Sequence, residues 1–352
     1  MKTSFDLHNL LRPNVLRLVP YSSARDEFKG EAAIALDANE NSFGSPVDGG
    51  YNRYPDPLQK KVKDKLSEIK GVPAENIFLG NGSDEAIDLL FRAFCRPGID
   101  NVILLPPTYG MYEVSANIND VATRKVNLTP DYQLDLPAIA DAIDAHTKII
   151  FICSPNNPTG NSIRRQDIET ILTNFDGIVV VDEAYINYSK HKSFTYELAE
   201  FPNLVVLQTL SKAWGLAALR LGMAFSSKDI IQVFNKIKPP YNINQATQDL
   251  VLEALNNVAQ VNAWIKQTVD EREALTAKLH ELPQVSRVTP SDANFILVQL
   301  QEPRELYNFL ISAGVIVRDR SNVELCEGCL RITVGTPQEN QILLANIQQF
   351  YN

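Results

Sequence analysis

The octapeptide Ile178-Val-Val-Val-Asp-Glu-Ala-Tyr185 places a carboxylate directly after four apolar residues. An uninterrupted Val/Ile run of this length is typical of a strand that is buried on both faces of a parallel sheet. A carboxylate at the end of such a strand is costly to bury unless a cation meets it. Asp182 is therefore a candidate functional residue, and its partner could be a metal ion, an arginine or a protonated heterocycle.

Similar apolar runs lie on both sides of this strand and alternate with helical stretches from about residue 34 to residue 246. The predicted strands are 77–79, 102–105, 149–153, 178–181, 204–208 and 222–225. Strand–helix alternation predicts an α/β fold with a mostly parallel sheet flanked by helices. In such a sheet, ligands bind outside the carboxyl ends of the strands.

The pattern changes after residue 241. Residues 244–282 are predicted to be helical, and they precede short strands at 294–300, 315–318 and 330–334 with a helix near 304–313. We therefore predict an N-terminal arm over residues 1–35, a large domain over 36–245 and a smaller α+β domain over 246–352.

Composition excludes several classes of protein. The chain has 352 residues, 45% of them hydrophobic, and its 33 Lys+Arg against 42 Asp+Glu give a net charge of −9. These values are typical of a folded globular protein and argue against a nucleic-acid partner. Four cysteines do not make a disulfide framework. Neither a signal peptide nor a membrane-spanning run is predicted, so we expect a cytoplasmic protein.

Two polar turns follow predicted strands. Residues 78–86, Phe-Leu-Gly-Asn-Gly-Ser-Asp-Glu-Ala, place Ser83 as a helix cap, where free N–H groups can hold a phosphate; an ordinary capped helix fits equally well. Residues 153–160, Cys-Ser-Pro-Asn-Asn-Pro-Thr-Gly, present two asparagines in a turn that proline stiffens, although a plain turn uses the same residue types.

The segment Leu207-Gln-Thr-Leu-Ser-Lys-Ala-Trp-Gly-Leu-Ala-Ala-Leu-Arg-Leu-Gly222 contains a lysine in an apolar setting. Most lysines lie on solvated faces, but desolvation of Lys212 would lower the pKa of its amine and favour a Schiff-base role. Arg220 is a second cation nearby. A phosphate cradle, an asparagine turn, a buried aspartate and a lysine with an arginine are together the parts of a pyridoxal phosphate site.

A metal site is not predicted. Only four histidines are present, and none lies in these segments. Cys326 and Cys329 have C-x-x-C spacing, but no second pair completes a zinc site, so a structural role is expected.

The order of these motifs resembles that of the fold-type I, class I/II aminotransferases. Further matches, including Arg53-Tyr-Pro-Asp-Pro57, Pro106-Pro-Thr-Tyr-Gly-Met-Tyr112 and Leu330-Arg-Ile-Thr-Val-Gly-Thr336, resemble the histidinol-phosphate aminotransferases. The resemblance implies a homodimer with shared active sites. It also implies transamination between L-histidinol phosphate and 2-oxoglutarate in histidine biosynthesis, with pyridoxal 5′-phosphate as cofactor.

The same resemblance assigns roles to individual residues. Lys212 would be the Schiff-base lysine and proton carrier, Asp182 would pair with the ring nitrogen, and Tyr109 would stack on the ring. The other cofactor-binding residues would be Ser83, Asp84, Asn157, Tyr185, Ser211 and Arg220, with Tyr54 reaching the neighbouring subunit. The substrate-binding residues would be Arg331 and Arg318, with Tyr21 and Asn39 in the same pocket; for Tyr21, simple anchoring of the arm fits nearly as well.

Three alternatives stay open at the level of sequence. An aromatic-amino-acid aminotransferase would need an apolar end to its pocket, and a threonine-phosphate decarboxylase would keep the phosphate site but release CO₂. A cofactor-binding regulator would need an attached DNA-binding domain, for which the predicted domains leave no room.

Overall fold

In a computed structural model of the chain, residues 5–21, 34 and 36–352 are described. Two sheets organise these residues. The larger has seven strands in the order β1-β7-β6-β5-β4-β2-β3. Its strands are β1 Ile77–Asn81, β2 Asn101–Leu104, β3 Ala122–Lys125, β4 Thr147–Cys153, β5 Ile178–Asp182, β6 Leu204–Thr209 and β7 Leu221–Ser226. Only β7 runs antiparallel to its neighbours, so the predicted mostly parallel sheet is confirmed.

The smaller sheet has four antiparallel strands in the order β10-β11-β9-β8. They are β8 Val285–Val288, β9 Phe295–Leu300, β10 Arg318–Asp319 and β11 Cys329–Thr333. Strand β10 is shorter than the predicted 315–318 strand, because only Arg318 and Asp319 pair with the neighbouring strand.

Helices cover both faces of the large sheet and one side of the small one. They are α1 Leu7–Leu10, α2 Pro13–Arg17, α3 Lys60–Lys70, α4 Gly82–Phe94, α5 Met111–Ile118, α6 Leu136–Ala142, α7 Arg165–Asn174, α8 Lys228–Ile237, α9 Gln245–Ala254, α10 Val258–His280, α11 Pro303–Ser312 and α12 Pro337–Tyr351. Short 3₁₀ turns occupy Ala74–Asn76, Ile186–Tyr188, Phe194–Glu197 and Ala217–Leu219.

The predicted helix over 244–282 is two helices, α9 and α10, separated at residues 255–257. Asn256 and Asn257 lie at this break, and asparagine is a poor residue for a helix interior.

Alternate residues of the central strands pack into two different cores. In β5, Val179 and Val181 belong to one cluster of buried side chains, whereas Ile178 and Val180 belong to the cluster on the opposite face. A strand with both faces buried needs apolar residues at every position, which explains the unbroken run in the sequence. A third cluster lies beneath the small sheet, between it and helices α10, α11 and α12.

The described part of the predicted arm packs against the large sheet's helices. Val15 of α2 is buried in the core, and the N–H of Arg12 donates to the carbonyl of Ala93 at 2.9 Å. Residues 1–4, 22–33 and 35 lie outside the described residues. Within the described ranges, no helix is both long and apolar enough to cross a membrane.

Candidate active site

The site lies at the carboxyl edge of the parallel strands, where Asp182 ends β5 beside Cys153 of β4 and Leu207 of β6. A cavity of about 670 Å³ opens there. Most of the sequence-predicted site residues line it: Ser83, Asp84, Tyr109, Asn157, Asp182, Tyr185, Ser211, Lys212, Arg220, Arg318 and Arg331. The structure thus brings together residues that are up to 248 positions apart in the chain, since they span Ser83 to Arg331.

Asp182 forms the floor of the cavity and is only 3% exposed. Its Oδ1 accepts the Ala184 N–H at 3.1 Å, and its Oδ2 accepts the Tyr112 hydroxyl at 2.7 Å. Burial raises the pKa of this carboxyl to about 6, which the two hydrogen bonds oppose. No described cation lies within ion-pair distance, so the site is suited to a cationic group that enters the cavity.

Lys212 faces the same cavity from the segment after β6, with its Nζ 5.7 Å from the centre of the Tyr185 ring. Solvent reaches this side chain through the cavity mouth, so the amine is less buried than its apolar sequence neighbours predict. Partial burial still lowers its pKa, and the charges of Arg331 and Arg220 act in the same direction. A larger fraction of the amine is therefore neutral than in an ordinary lysine.

The N-terminus of α4 and Arg220 form one end of the cavity. Helix α4 begins at Gly82, so Ser83 lies inside its first turn, and the prediction that Ser83 caps the helix is wrong. The first-turn N–H groups have no acceptor within the helix and can bind an anion. Arg220 extends this end, with its guanidinium 3.4 Å from the Ser211 hydroxyl and 3.5 Å from Asp84.

Gly222 makes this arrangement possible. A Cβ atom at this position would lie 2.0 Å from the backbone nitrogen of Ser83. Strand β7 therefore runs against the start of α4 only because residue 222 has no side chain.

The two asparagines after β4 have different surroundings. The buried Asn156 holds the turn, because its amide donates to the Pro107 carbonyl at 2.8 Å and to Thr159 Oγ1 at 2.7 Å. Asn157 faces the cavity, and its Oδ1 accepts a hydrogen bond from Arg331.

Two tyrosines form the aromatic walls. The Tyr109 hydroxyl donates to Asp84 Oδ1 at 3.2 Å, which directs this hydroxyl towards the anion-binding end. Tyr185 is 7% exposed, and burial raises the pKa of both phenols.

The small sheet provides the opposite end of the cavity. Arg318 of β10 lies directly opposite Arg331 of β11, so both side chains project from the same face of the sheet. Burial lowers the pKa of Arg331, and the charge of Arg318 adds to this. Two guanidinium groups on one face can bind a phosphate or a carboxylate in bidentate fashion.

Three predicted residues lie elsewhere within this chain. Tyr54 and Asn39 line a second cavity of about 560 Å³, in which the Tyr54 ring stacks on Tyr241 with 4.4 Å between centroids. Tyr21 is 76% exposed and lines neither of these cavities.

Sequence reasoning missed two functional side chains, Tyr112 beneath the floor of the main cavity and Arg320 in its wall. Tyr112 was inside a quoted motif, but only the structure shows its hydrogen bond to Asp182. Arg320 lines the cavity beside Arg318 and Arg331. Its position two residues after Arg318 was the available signal, because alternate residues of a strand share a face. In the described ranges no cluster of His, Cys, Asp or Glu side chains is arranged to hold a metal ion.

Comparison with known proteins places the chain in a family. Residues 32–347 match the family described as "Aminotransferase class I and II". A histidinol-phosphate aminotransferase of Parabacteroides distasonis is 57% identical over 96% of this chain and 97% of the relative. The enzyme of the same name from Cytophaga hutchinsonii is 56% identical over 97% of this chain and 98% of the relative.

Among solved structures, histidinol-phosphate aminotransferase from Sinorhizobium meliloti in complex with pyridoxal-5′-phosphate superposes with a TM-score of 0.78. It is 22% identical and covers 89% of each chain. This likeness confirms the predicted fold type. The two close relatives favour the histidinol-phosphate group over the aromatic, decarboxylase and regulator alternatives. The chain belongs to the class I and II aminotransferases and, within them, to the histidinol-phosphate aminotransferases.

Proposed function

We propose that this protein transfers the amino group of L-histidinol phosphate to 2-oxoglutarate, with pyridoxal 5′-phosphate as its cofactor, in histidine biosynthesis. The products are imidazole-acetol phosphate and L-glutamate. The observation that carries the proposal is that Lys212 and the cross-strand pair Arg318 and Arg331 line one cavity. The cavity therefore combines an amine of lowered pKa with a site for an anionic substrate.

The residues of the cavity fit this cofactor. Asp182 is a buried carboxylate whose partner must be a cation, and the protonated ring nitrogen is such a cation. The first turn of α4, Ser211 and Arg220 would hold the cofactor phosphate, while Tyr109, Tyr185 and Asn157 would surround the ring. When bound, pyridoxal phosphate supplies the electron-accepting ring that carries the amino group between the two substrates.

The chain's own groups then bind, orient and move protons. With its lowered pKa, the Lys212 amine can accept the proton from the substrate carbon that carries the amino group. With the cofactor bound, the same amine would donate this proton to the cofactor carbon C4′, which receives the amino group. Asp182, fixed by Tyr112 and Ala184, keeps a negative charge where a cation must stay protonated.

At the other end, Arg331 and Arg318 hold the anionic tail of each substrate in turn. Histidinol phosphate has a phosphate but no carboxylate, whereas glutamate has carboxylates. One arginine pair must therefore accept both kinds of anion.

We also infer that the active protein is a cytoplasmic homodimer. Tyr54 and Asn39 lie together in an open cavity of their own, and Tyr54 is 51% exposed. A second copy that packs over this region would let Tyr54 complete the site of its neighbour, and Tyr21 would close over the substrate. We further propose an arm (1–35), a large domain (36–245) and a small domain (246–352), and the presence of two sheets supports the last two.

The decisive experiment is a substrate comparison with purified, cofactor-loaded protein and 2-oxoglutarate. We expect kcat/KM for histidinol phosphate to exceed that for histidinol, phenylalanine or aspartate by at least about 100-fold, since only histidinol phosphate brings a single doubly charged group to the arginines. A higher kcat/KM for phenylalanine or aspartate would contradict the proposed substrate. Release of CO₂ from threonine phosphate would indicate the decarboxylase instead.

A further inference from the structure

A third arginine stands beside the pair that the proposed function uses. The N–H of Arg320 donates to the Cys329 carbonyl at 3.0 Å, which extends the pairing of β10 with β11 by one residue. Arg318 and Arg320 are alternate residues of one extended segment, and Arg331 lies opposite Arg318. All three side chains therefore share one face of the small sheet, and all three line the main cavity.

This cluster has no anionic partner of its own in the part of the chain that is described. Arg331 makes its hydrogen bond to the neutral amide of Asn157, and neither Arg318 nor Arg320 has an ion pair. The nearby Asp319 carboxylate accepts hydrogen bonds from Ser321 and lies 4.0 Å from Arg304.

The titratable groups around Arg320 are mostly like-charged. Burial lowers the pKa of Arg320, and the charges of Arg331 and Arg318 lower it further, against weaker opposite effects of Cys326 and Asp319. Three guanidinium groups in one partly buried cluster repel one another unless an anion joins them. A dianion neutralises more of the three positive charges of this cluster than a monoanion does.

We propose that Arg320 is a third arginine of the substrate's anion site and that it sets the preference for a phosphate dianion over a carboxylate. This inference rests on the proposed function and names a residue that, together with Arg318, distinguishes its two substrates. Since the Coulomb energy scales with the product of the charges, an added cation gains about twice as much from a dianion as from a carboxylate.

The test compares Arg320→Gln with Arg320→Lys and with the control Arg287→Gln in cofactor-loaded enzyme. Arg287 is an exposed arginine of the same sheet that contacts the Tyr132 ring and does not line the cavity. We expect Arg320→Gln to raise KM for histidinol phosphate about 10- to 100-fold, the range for one charge-assisted hydrogen bond. KM for glutamate should rise by only the square root of that factor, about 3- to 10-fold, because a carboxylate gains about half as much from the added charge. Both kcat values should change less than about threefold, and Arg287→Gln should leave all of these constants unchanged.

A binding experiment separates this role from a general effect on catalysis. Methyl phosphate and acetate are titrated into the loaded enzyme, in which the cofactor fills its own phosphate site. Arg320→Gln should weaken the binding of methyl phosphate at least about tenfold and the binding of acetate by only the square root of that factor, about threefold for a tenfold loss. Arg320→Lys, which keeps the charge, should restore most of the preference.

Equal losses for methyl phosphate and acetate, or no loss for either, would overturn the role of Arg320. This outcome differs from failure of the proposed function. If the wild-type enzyme does not turn over histidinol phosphate, the named reaction is wrong, whereas the methyl phosphate and acetate titrations still decide whether Arg320 selects dianions.

Discussion

The hydroxyl of Tyr112 donates a hydrogen bond of 2.7 Å to Oδ2 of Asp182, and both residues are almost completely buried. The Tyr112 ring also stacks on Phe151, with 4.8 Å between ring centroids, and meets Tyr109 edge to face. One side chain therefore connects the cavity floor to an aromatic wall. Because Tyr112 acts on the site through Asp182, we regard it as a positioning residue.

We expect Tyr112→Phe to shift the acid limb of the pH profile of kcat/KM towards higher pH. The hydrogen bond favours the charged form of Asp182, whose pKa is already raised to about 6, so its loss raises this pKa further. Asp182 then becomes protonated at a higher pH, and the carboxylate is lost earlier on acidification. Cofactor affinity at pH 6 should fall about fivefold or more.

Tyr188→Phe is the matched control, because Tyr188 is a buried tyrosine that does not line the cavity. It should leave the pH profile unchanged. An unshifted acid limb in Tyr112→Phe would show that this hydrogen bond does not set the charge of Asp182.

Replacement of Asp182 itself should be more severe. We expect Asp182→Ala to lower kcat on the order of 100-fold or more, the effect of losing one strong electrostatic contact in a desolvated site. Asp141→Ala, which removes an exposed carboxylate from α6, should have no effect. Single-turnover rates measured by absorbance would check this, and a rate near that of the wild type would refute the pairing of Asp182 with the cofactor.

Lys212 should be the attachment point of the cofactor. Borohydride treatment of the yellow, loaded protein should fix a pyridoxyl group on this residue, which peptide mass spectrometry can locate. Lys212→Ala should retain little covalent cofactor and essentially no turnover, because no other described lysine lines the cavity. An adduct on any other lysine would contradict the assigned site.

The sequence predicts the central strands well, because a strand with both faces buried must be apolar throughout. It does not predict β3 at residues 122–125, since that edge strand is exposed or half-buried at every position and has no apolar run. Edge strands are stabilised by backbone pairing with a neighbour, and this pairing leaves little trace in the side chains.

The sequence likewise predicts only part of the site. Motif residues such as Lys212 and Asp182 could be identified from their local sequence, and the structure brings them to one cavity. Tyr112 could not be assigned in this way, because its importance comes from a hydrogen bond to Asp182, which is distant in the chain. Arg320 had only the signal of its spacing from Arg318, and its place beside Arg331 depends on the pairing of two strands. The solvent exposure of Lys212 also depends on the shape of the cavity rather than on its sequence neighbours.

The buried Glu183 should make the stability of the protein depend on pH. This carboxylate accepts hydrogen bonds from the Phe194 N–H at 2.6 Å, from the Gln208 amide at 3.0 Å and from Ser193. Burial nevertheless raises its pKa from 4.5 to about 7. Between these two values the folded state binds more protons than the unfolded state, so the free energy of unfolding falls as the pH rises.

We expect the wild-type protein to lose roughly 2 kcal/mol of stability between pH 5 and pH 7 from this group. Glu183→Gln should flatten this part of the curve, whereas Glu68→Gln, at an exposed position of α3, should not. Urea unfolding at a series of pH values and constant cofactor concentration would measure both slopes. Burial lowers the pKa of the neighbouring Lys70 to about 8. Above pH 8 the folded state therefore binds fewer protons at this group than the unfolded state, and the contribution of Lys70 to the free energy of unfolding rises with pH.

The paired arginines should contribute differently to the two half-reactions. Arg331 is half-buried and contacts Asn157 beside the cofactor-binding residues, so both substrates need it. Arg318 is more exposed, and we expect its charge to matter most for an anion that carries two charges. Arg331→Ala should therefore impair both half-reactions, by about 100-fold or more in kcat/KM. Arg318→Ala should lower kcat/KM for histidinol phosphate at least about fivefold more than kcat/KM for glutamate.

Stopped-flow measurement of each half-reaction would separate the two effects, with Arg287→Gln as the control. Equal impairment of both substrates by Arg318→Ala would mean that this arginine supports the structure of the small sheet and does not distinguish phosphate from carboxylate.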